Sequence, residues 1–160
     1  MKPKSYLAKT PSQTKKIGAL LAKKILETKP LKLAFLLGLE GDLGGGKTTF
    51  LQGFAKGLGI KQKILSPTFI IMRKFQIPNY KLQTNPKLQI PKFQTFFHID
   101  CYRIQSPKEI LDLGFKEIIS NPQNIVAVEW AERVRKILPK KTIILKFYFL
   151  GQNKRKIVIK

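Results

Sequence analysis

An α/β fold, with a mainly parallel sheet, helices on both faces and an antiparallel C-terminal hairpin, follows from three observations on this 160-residue sequence. Short apolar runs alternate with segments of helical periodicity, the pattern that builds strand–helix–strand units. The stretch Gly41-Asp42-Leu43-Gly44-Gly45-Gly46-Lys47-Thr48 fits G-x-x-x-x-G-K-[ST] and lies between an apolar run and a helical pattern, the context a phosphate-binding loop requires. Two C-terminal runs, Thr142 to Leu150 and Lys156 to Ile159, flank Gly151-Gln152-Asn153 and read as a hairpin. Together these predict a three-layer architecture like that of the P-loop NTPases.

The elements follow in order. Thr10-Pro11-Ser12 supplies a hydroxyl cap and an early proline for a first helix, which places Ile17, Leu20, Leu21 and Ile25 on one face and ends near Thr28. Leu33 to Leu37 reads as a buried strand entering the glycine loop. The helix after the loop, Thr48 to Leu58, carries the stripe Phe50, Leu51, Phe54 and Leu58, and Gly59 stops it. Ser66-Pro67-Thr68 is a turn entering an apolar strand, Phe69 to Met72. Residues Gln76 to Lys92 are rich in Pro, Asn and Gln without a period and read as a loop or loose hairpin, a flexible insertion in one domain spanning 1–160. Phe93 to Asp100 is an apolar strand ending in a carboxylate. Ser106-Pro107-Lys108-Glu109 is a capping box that opens a helix, which Gly114 interrupts before Phe115 to Ile119. Ile125 to Glu129 is a second strand ending in a carboxylate, and a short basic helix leads to Leu138-Pro139.

Composition bounds the function. A hydrophobic content of 43% supports a packed core and excludes general disorder. No apolar run approaches the roughly 18 residues of a membrane span, and no secretory h-region follows the basic start, so a cytoplasmic, soluble chain is expected. The lone Cys101 excludes an internal disulfide and reads as a core residue rather than a reactive one. The formal charge of +22 fits attraction to RNA, DNA or an acidic surface, and fits equally a genome-wide lysine bias with solvated side chains.

The glycine loop carries the chemistry. Its glycines let successive N–H groups converge on the positive end of the next helix, a cradle for a polyphosphate. Lys47 is placed to reach the β- and γ-phosphates, and the Thr48 hydroxyl to take one position on Mg²⁺. Asp100 and Glu129 are the two strand-end carboxylates available for the metal, directly or through water, or else for ordinary ion pairs with Arg103 or Arg133. Thr68 is either a contact to Mg²⁺ or the attacking water, or part of a plain turn. His98, two residues before Asp100, reads as a hydrogen-bonded structural residue. Trp130 is either core or an exposed contact. No Asn-Lys-x-Asp guanine-selecting element is present, so ATP is the expected nucleotide. A small P-loop kinase is one rival, needing an acceptor pocket and lid that the sequence does not offer clearly. A nucleic-acid-binding module using ATP only as a structural ligand is another.

Four ordered motifs resemble the TsaE family: Gly41 to Phe50, Ser66-Pro67-Thr68-Phe69, His98-Ile99-Asp100-Cys101-Tyr102-Arg103, and Val128-Glu129-Trp130. The resemblance covers roughly residues 10 to 150. It implies a small bacterial ATPase required for threonylcarbamoyladenosine in tRNA, whose ATP turnover drives or resets the complex of TsaB and TsaD that transfers the threonylcarbamoyl group. The sequence has no obvious arginine finger, so slow hydrolysis alone is expected, with a partner completing the site. The resemblance further implies that Gly44, Gly45, Gly46, Lys47, Thr48 and Thr49 bind ATP, that Thr48 and Glu129 hold Mg²⁺, and that Asp100 supports hydrolysis. Ser66 to Phe69 would be a switch loop, the segment near Thr10 would border the adenine, and Trp130 would lie close to the nucleotide. Three features depart from the family's usual pattern: Gly45 in place of Ala, the length of 76–92, and the strong positive charge.

Overall fold

A computed structural model describes residues 3–28, 31–65, 70–78 and 92–160. Seven strands form one mixed sheet: β1 Lys4–Ala8, β2 Phe35–Glu40, β3 Met72–Gln76, β4 Thr95–Asp100, β5 Asn124–Glu129, β6 Ile143–Phe149 and β7 Arg155–Ile159. Their spatial order is β1-β7-β6-β2-β5-β4-β3. The central strands β6, β2, β5 and β4 run parallel, while β3 pairs antiparallel with β4 and the β6–β7 hairpin continues antiparallel into β1. The expected architecture is therefore present, with β1 added at one edge; at the other, the strand expected over Phe69 to Met72 is replaced, among the described residues, by β3, which starts only at Met72. The β1 strand lacks a long apolar run and gave no signal of its own.

The parallel strands β2 and β5 are buried along their whole length, as expected of strands covered on both faces. One face packs on α1 Pro11–Glu27 and α2 Lys47–Gly57, around Leu37, Leu39, Phe50, Phe54, Phe96 and Ile157. The other packs on α3 Pro107–Asp112, α4 Phe115–Ser120 and a 3₁₀ helix, Ala131–Ile137, around Leu36, Ile99, Ile110, Phe115 and Val128.

Local chemistry sets the helix ends. Thr10 caps α1 by accepting the Gln13 N–H, with Pro11 in the first turn. At α3 both halves of the capping box form, Ser106 accepting from the helix and Glu109 accepting the Ser106 N–H. The basic segment after β5 is a 3₁₀ helix with a kink at Val134, tighter than the helix expected.

The stripe on α2 is buried as expected; on α1 Ile25 is buried and Ile17 and Leu21 pack against the core as expected, but Leu20 does not. Thr14, Gly18, Ala22 and Ile25 are buried, whereas Leu20 is 57% exposed. The reason is the closeness of the two helices. A Cβ on Gly18 would lie 2.3 Å from the Phe50 carbonyl oxygen, and one on Gly53 would lie 1.9 Å from that of Lys15. Backbones that approach so closely exclude Leu from the contact, and small residues occupy it instead.

Of the segment expected as an insertion, Gln76 closes β3, and the buried Ile77 donates its N–H to Gln94 O at 2.8 Å. Residues 79–91 lie outside the described residues. The lone Cys101 is fully buried, and desolvation together with Asp100 pushes its pKa up to about 12, which fits the core reading.

Replacing Gly53 with Ala forces α1 and α2 apart. Overpacking of this kind costs about 1–3 kcal/mol, so thermal unfolding of Gly53→Ala should show Tm lowered by roughly 3–10 °C. An unchanged Tm would mean that the helices separate without penalty.

Candidate functional site

The carboxyl ends of β2, β5 and β4 meet at one level. Leu39 pairs with Glu129, and Glu129 with Asp100, so the glycine loop that leaves β2 rises beside both carboxylates. A cavity of about 610 Å³ opens there, lined by Leu43 to Thr49, Asp100, Tyr102, Arg103, Glu129, Trp130 and Arg155 among others.

The loop is shaped by its glycines. Gly41, Gly44 and Gly46 take left-handed φ values of 130°, 75° and 94°. A Cβ on Gly41 would strike the Phe147 carbonyl at 2.3 Å, so both conformation and space demand glycine there. Gly46 precedes α2 without a side-chain cap, which leaves the first-turn N–H groups of α2 directed to the cavity. A concavity of N–H groups on a helix N-terminus suits an anion.

Lys47 is almost fully buried. Its Nζ donates to Gly41 O at 2.5 Å and Asp42 O at 2.8 Å, and stands 3.9 Å from the centroid of the Trp130 ring. Desolvation lowers its pKa from the ordinary 10.5, opposed by the negative charges of Glu129, Glu132, Asp100 and Asp42.

Glu129 is the other buried centre. The Thr48 hydroxyl lies 3.1 Å from each of its carboxylate oxygens, and His98 Nε2 lies 2.8 Å from Oε1. An ionised carboxylate only accepts, so the Nε2–H of His98 is the donor in this contact. Among the described residues Nδ1 has no partner. His98 is thus the hydrogen-bonded structural residue expected, and it fixes the carboxylate that faces Thr48. Glu129 takes these two partners and not Arg103 or Arg133; Arg133 instead donates to Ile104 O and approaches the Tyr102 and Trp130 rings.

Asp100 lines the same cavity and accepts the Tyr102 N–H at 2.9 Å. Trp130 is neither plain core nor a free surface contact. It is half-buried at the cavity, 5.0 Å from the Tyr102 ring, and holds a φ of 59°, the one positive value for a non-glycine among the described residues. Such a backbone conformation is costly for a bulky residue and tends to occur where function demands it.

The family-model comparison matches residues 8–157 to "Threonylcarbamoyl adenosine biosynthesis protein TsaE". The chain belongs to the TsaE family. Its similarity to the TsaE of Rickettsia felis is 33% identity over 144 residues, covering 89% of this chain and 71% of that one. With the TsaE of Bacillus subtilis it is 34% over 157 residues, covering 98% and 85%. The crystal structure of Bacillus subtilis YdiB superposes with a TM-score of 0.72 at 30% identity, covering 99% of this chain and 84% of that one. TsaE membership places the chain in tRNA threonylcarbamoyladenosine biosynthesis.

Of the residues that the TsaE resemblance singles out, Gly44, Gly45, Gly46, Lys47, Thr48, Thr49, Asp100, Glu129 and Trp130 come together at the cavity. Thr10 does not line it. Its side chain is spent on capping α1, and Pro11 and Thr14 line the cavity instead. Thr68 and the rest of 66–69 lie outside the described residues. Sequence reasoning missed Arg155, whose Nε donates to Gly44 O at 2.9 Å and whose side chain passes 3.5 Å from where a Cβ of Gly46 would stand. It lies on β7, more than a hundred residues from the loop, and no spacing signals it.

Because burial lowers the pKa of Lys47, the unfolded chain holds this proton more tightly than the folded one. Stability therefore rises with pH between the folded value and 10.5, as the cost of a buried ammonium is relieved. Urea denaturation of wild type and Lys47→Met from about pH 7 upward should show the difference moving in favour of wild type across that window. A constant difference would remove desolvation as the cause.

Proposed function

We infer that the chain is a Mg²⁺-dependent ATPase of the tRNA threonylcarbamoylation system, working in the cytoplasm with TsaB and TsaD. The observation that carries this reading is the contact of Thr48 Oγ1 with both oxygens of Glu129, beside a glycine loop whose lysine is buried at the same cavity.

The residues fit the groups. Mg²⁺ takes a few protein oxygens and fills its octahedron with phosphate oxygens and water. Thr48 and Glu129 supply one hydroxyl and one carboxylate, held in place by His98. The cavity volume of about 610 Å³ suits a nucleotide-sized ligand. Bound Mg²⁺ would supply neutralisation of charge on the phosphates during their transfer to water.

The chain's own residues would act as follows. The loop N–H groups hold the phosphates. Lys47 exchanges two backbone carbonyls for phosphate oxygens, with little loss because both are acceptors at short range. Asp100, at the end of the neighbouring strand, supports hydrolysis by holding water on the metal side of the cavity. Trp130 borders the nucleotide. Arg155 is tied to Gly44 O and Gly151 O, which makes it a clamp on the loop rather than a cation reaching over the phosphate. Hydrolysis by the chain alone should be slow, with a partner completing the site.

Phosphate release measured with and without TsaB–TsaD tests the partner dependence: clear acceleration supports it, and equal rates oppose it. Glu129→Gln should lower release by roughly a hundredfold or more, in the range seen when one electrostatic contact to a transition state is lost. The pathway reading is tested by threonylcarbamoyladenosine content in a TsaE-depleted bacterium supplied with this chain and its own TsaB and TsaD. Wild type should restore the modification, and Lys47→Ala and Glu129→Ala at matched protein levels should not. Rescue by both variants would separate the ATP site from the pathway.

A further inference from the structure

Beyond the cavity, the outer wing of the sheet has a face that the proposed reaction does not use. Strand pairing arranges its side chains in rows. Leu7 of β1, Lys156 of β7 and Tyr148 of β6 form one, and Val158 and Lys146 lie in the next. Ile144 and Lys160 exchange backbone hydrogen bonds in a third. The alternate residues Leu145, Phe147 and Ile157 are in the core under α1 and α2, so these rows face the opposite way. The 3₁₀ helix covers that face only as far as Gly38, where an added Cβ would meet both Ile144 and Ala131. Outward of it Tyr148 is 45% exposed, and Lys156 and Lys160 are exposed.

The charge on this wing has one sign. Residues 143–160, which hold β6 and β7, contain five Lys or Arg and no Asp or Glu. The acid that the register brings alongside, Glu40, is buried and already paired with Arg135 and Lys146. Among the described residues that leaves Lys156 and Lys160 with no acidic side chain paired to them, about 13 Å apart at strand spacing, with an open aromatic ring beside the first.

We propose that this face contacts RNA, with Lys156 and Lys160 on the sugar–phosphate backbone and the Tyr148 ring stacked on a base. Cations without neighbouring acids attract a polyanion, and an exposed aromatic on a sheet stacks with any base. Membership of a tRNA-modifying family favours RNA over an acidic protein surface as the occupant. The inference rests on that membership and not on the ATPase reading.

The test is binding of an in vitro-transcribed tRNA, followed by fluorescence anisotropy across a salt series, for the full chain and two variants. Lys156→Gln/Lys160→Gln should bind more weakly, and the slope of log K against log salt should be smaller by roughly 1.4–1.8, the contribution of two phosphate contacts. Tyr148→Ala should weaken binding about fivefold or more with the slope unchanged. Thermal melts establish that each variant is folded. Absence of tRNA binding by wild type at low salt, or wild-type affinity and slope in the folded variants, overturns the proposal. So does loss of binding to purified TsaB–TsaD with tRNA binding intact, which would give the face to an acidic protein. Absence of phosphate release alongside the expected tRNA results would instead refute the ATPase reading and leave this one standing.

Discussion

The register of three parallel strands is the constraint on which the site depends. Pairing of Leu39 with Glu129 and of Glu129 with Asp100 brings three chain segments, separated by some sixty and thirty residues, to one height at the carboxyl edge of the sheet. A slip of one residue in β5 would turn Glu129 to the opposite face and leave Thr48 without its acceptor. The register is fixed by burial, because β2 and β5 are covered on both sides and every apolar side chain along them has a place in one core or the other.

Within that frame the buried ions hold one another in balance. A carboxylate as enclosed as Glu129 is costly unless donors reach it, and here a hydroxyl and an imidazole do. Lys47 is satisfied by carbonyl oxygens of its own loop and by the face of Trp130. Both groups thus have partners of their own although they are buried at the cavity. The left-handed turn at Trp130 belongs to the same arrangement, since it brings the indole back across the lysine directly after the carboxylate. Farther out, Arg135 and Lys146 neutralise Glu40 at the foot of the glycine loop, so the loop is anchored by charge at one end and clamped by Arg155 at the other.

The helix pair behind the loop shows how backbone proximity overrides hydrophobic pattern. Gly18 and Gly53 let α1 and α2 touch, and Leu20 is turned outward although its spacing suits an apolar stripe. A rigid α2 follows from that contact, which matters because its first turn forms half of the cradle.

Local sequence was enough for most of the elements and for most of the expected residues that line the cavity. Apolar runs and caps such as Thr10 and Ser106 act over a few residues, so strands, helix starts and the glycine loop were legible, as were Lys47, Thr48 and the two strand-end carboxylates. The family was legible in the order of four motifs. The rest came from tertiary packing: that Glu129 and not Asp100 faces Thr48, that His98 is spent on Glu129, and that Arg155 closes on Gly44 from across the sheet. The edge strand β1 belongs with these. Its residues are mostly exposed and carry little pattern, and they become a strand because β7 presents unpaired N–H and C=O groups. Local propensity is written in neighbouring residues, whereas pairing partners are selected by burial and hydrogen bonding between segments whose separation along the chain carries no signal.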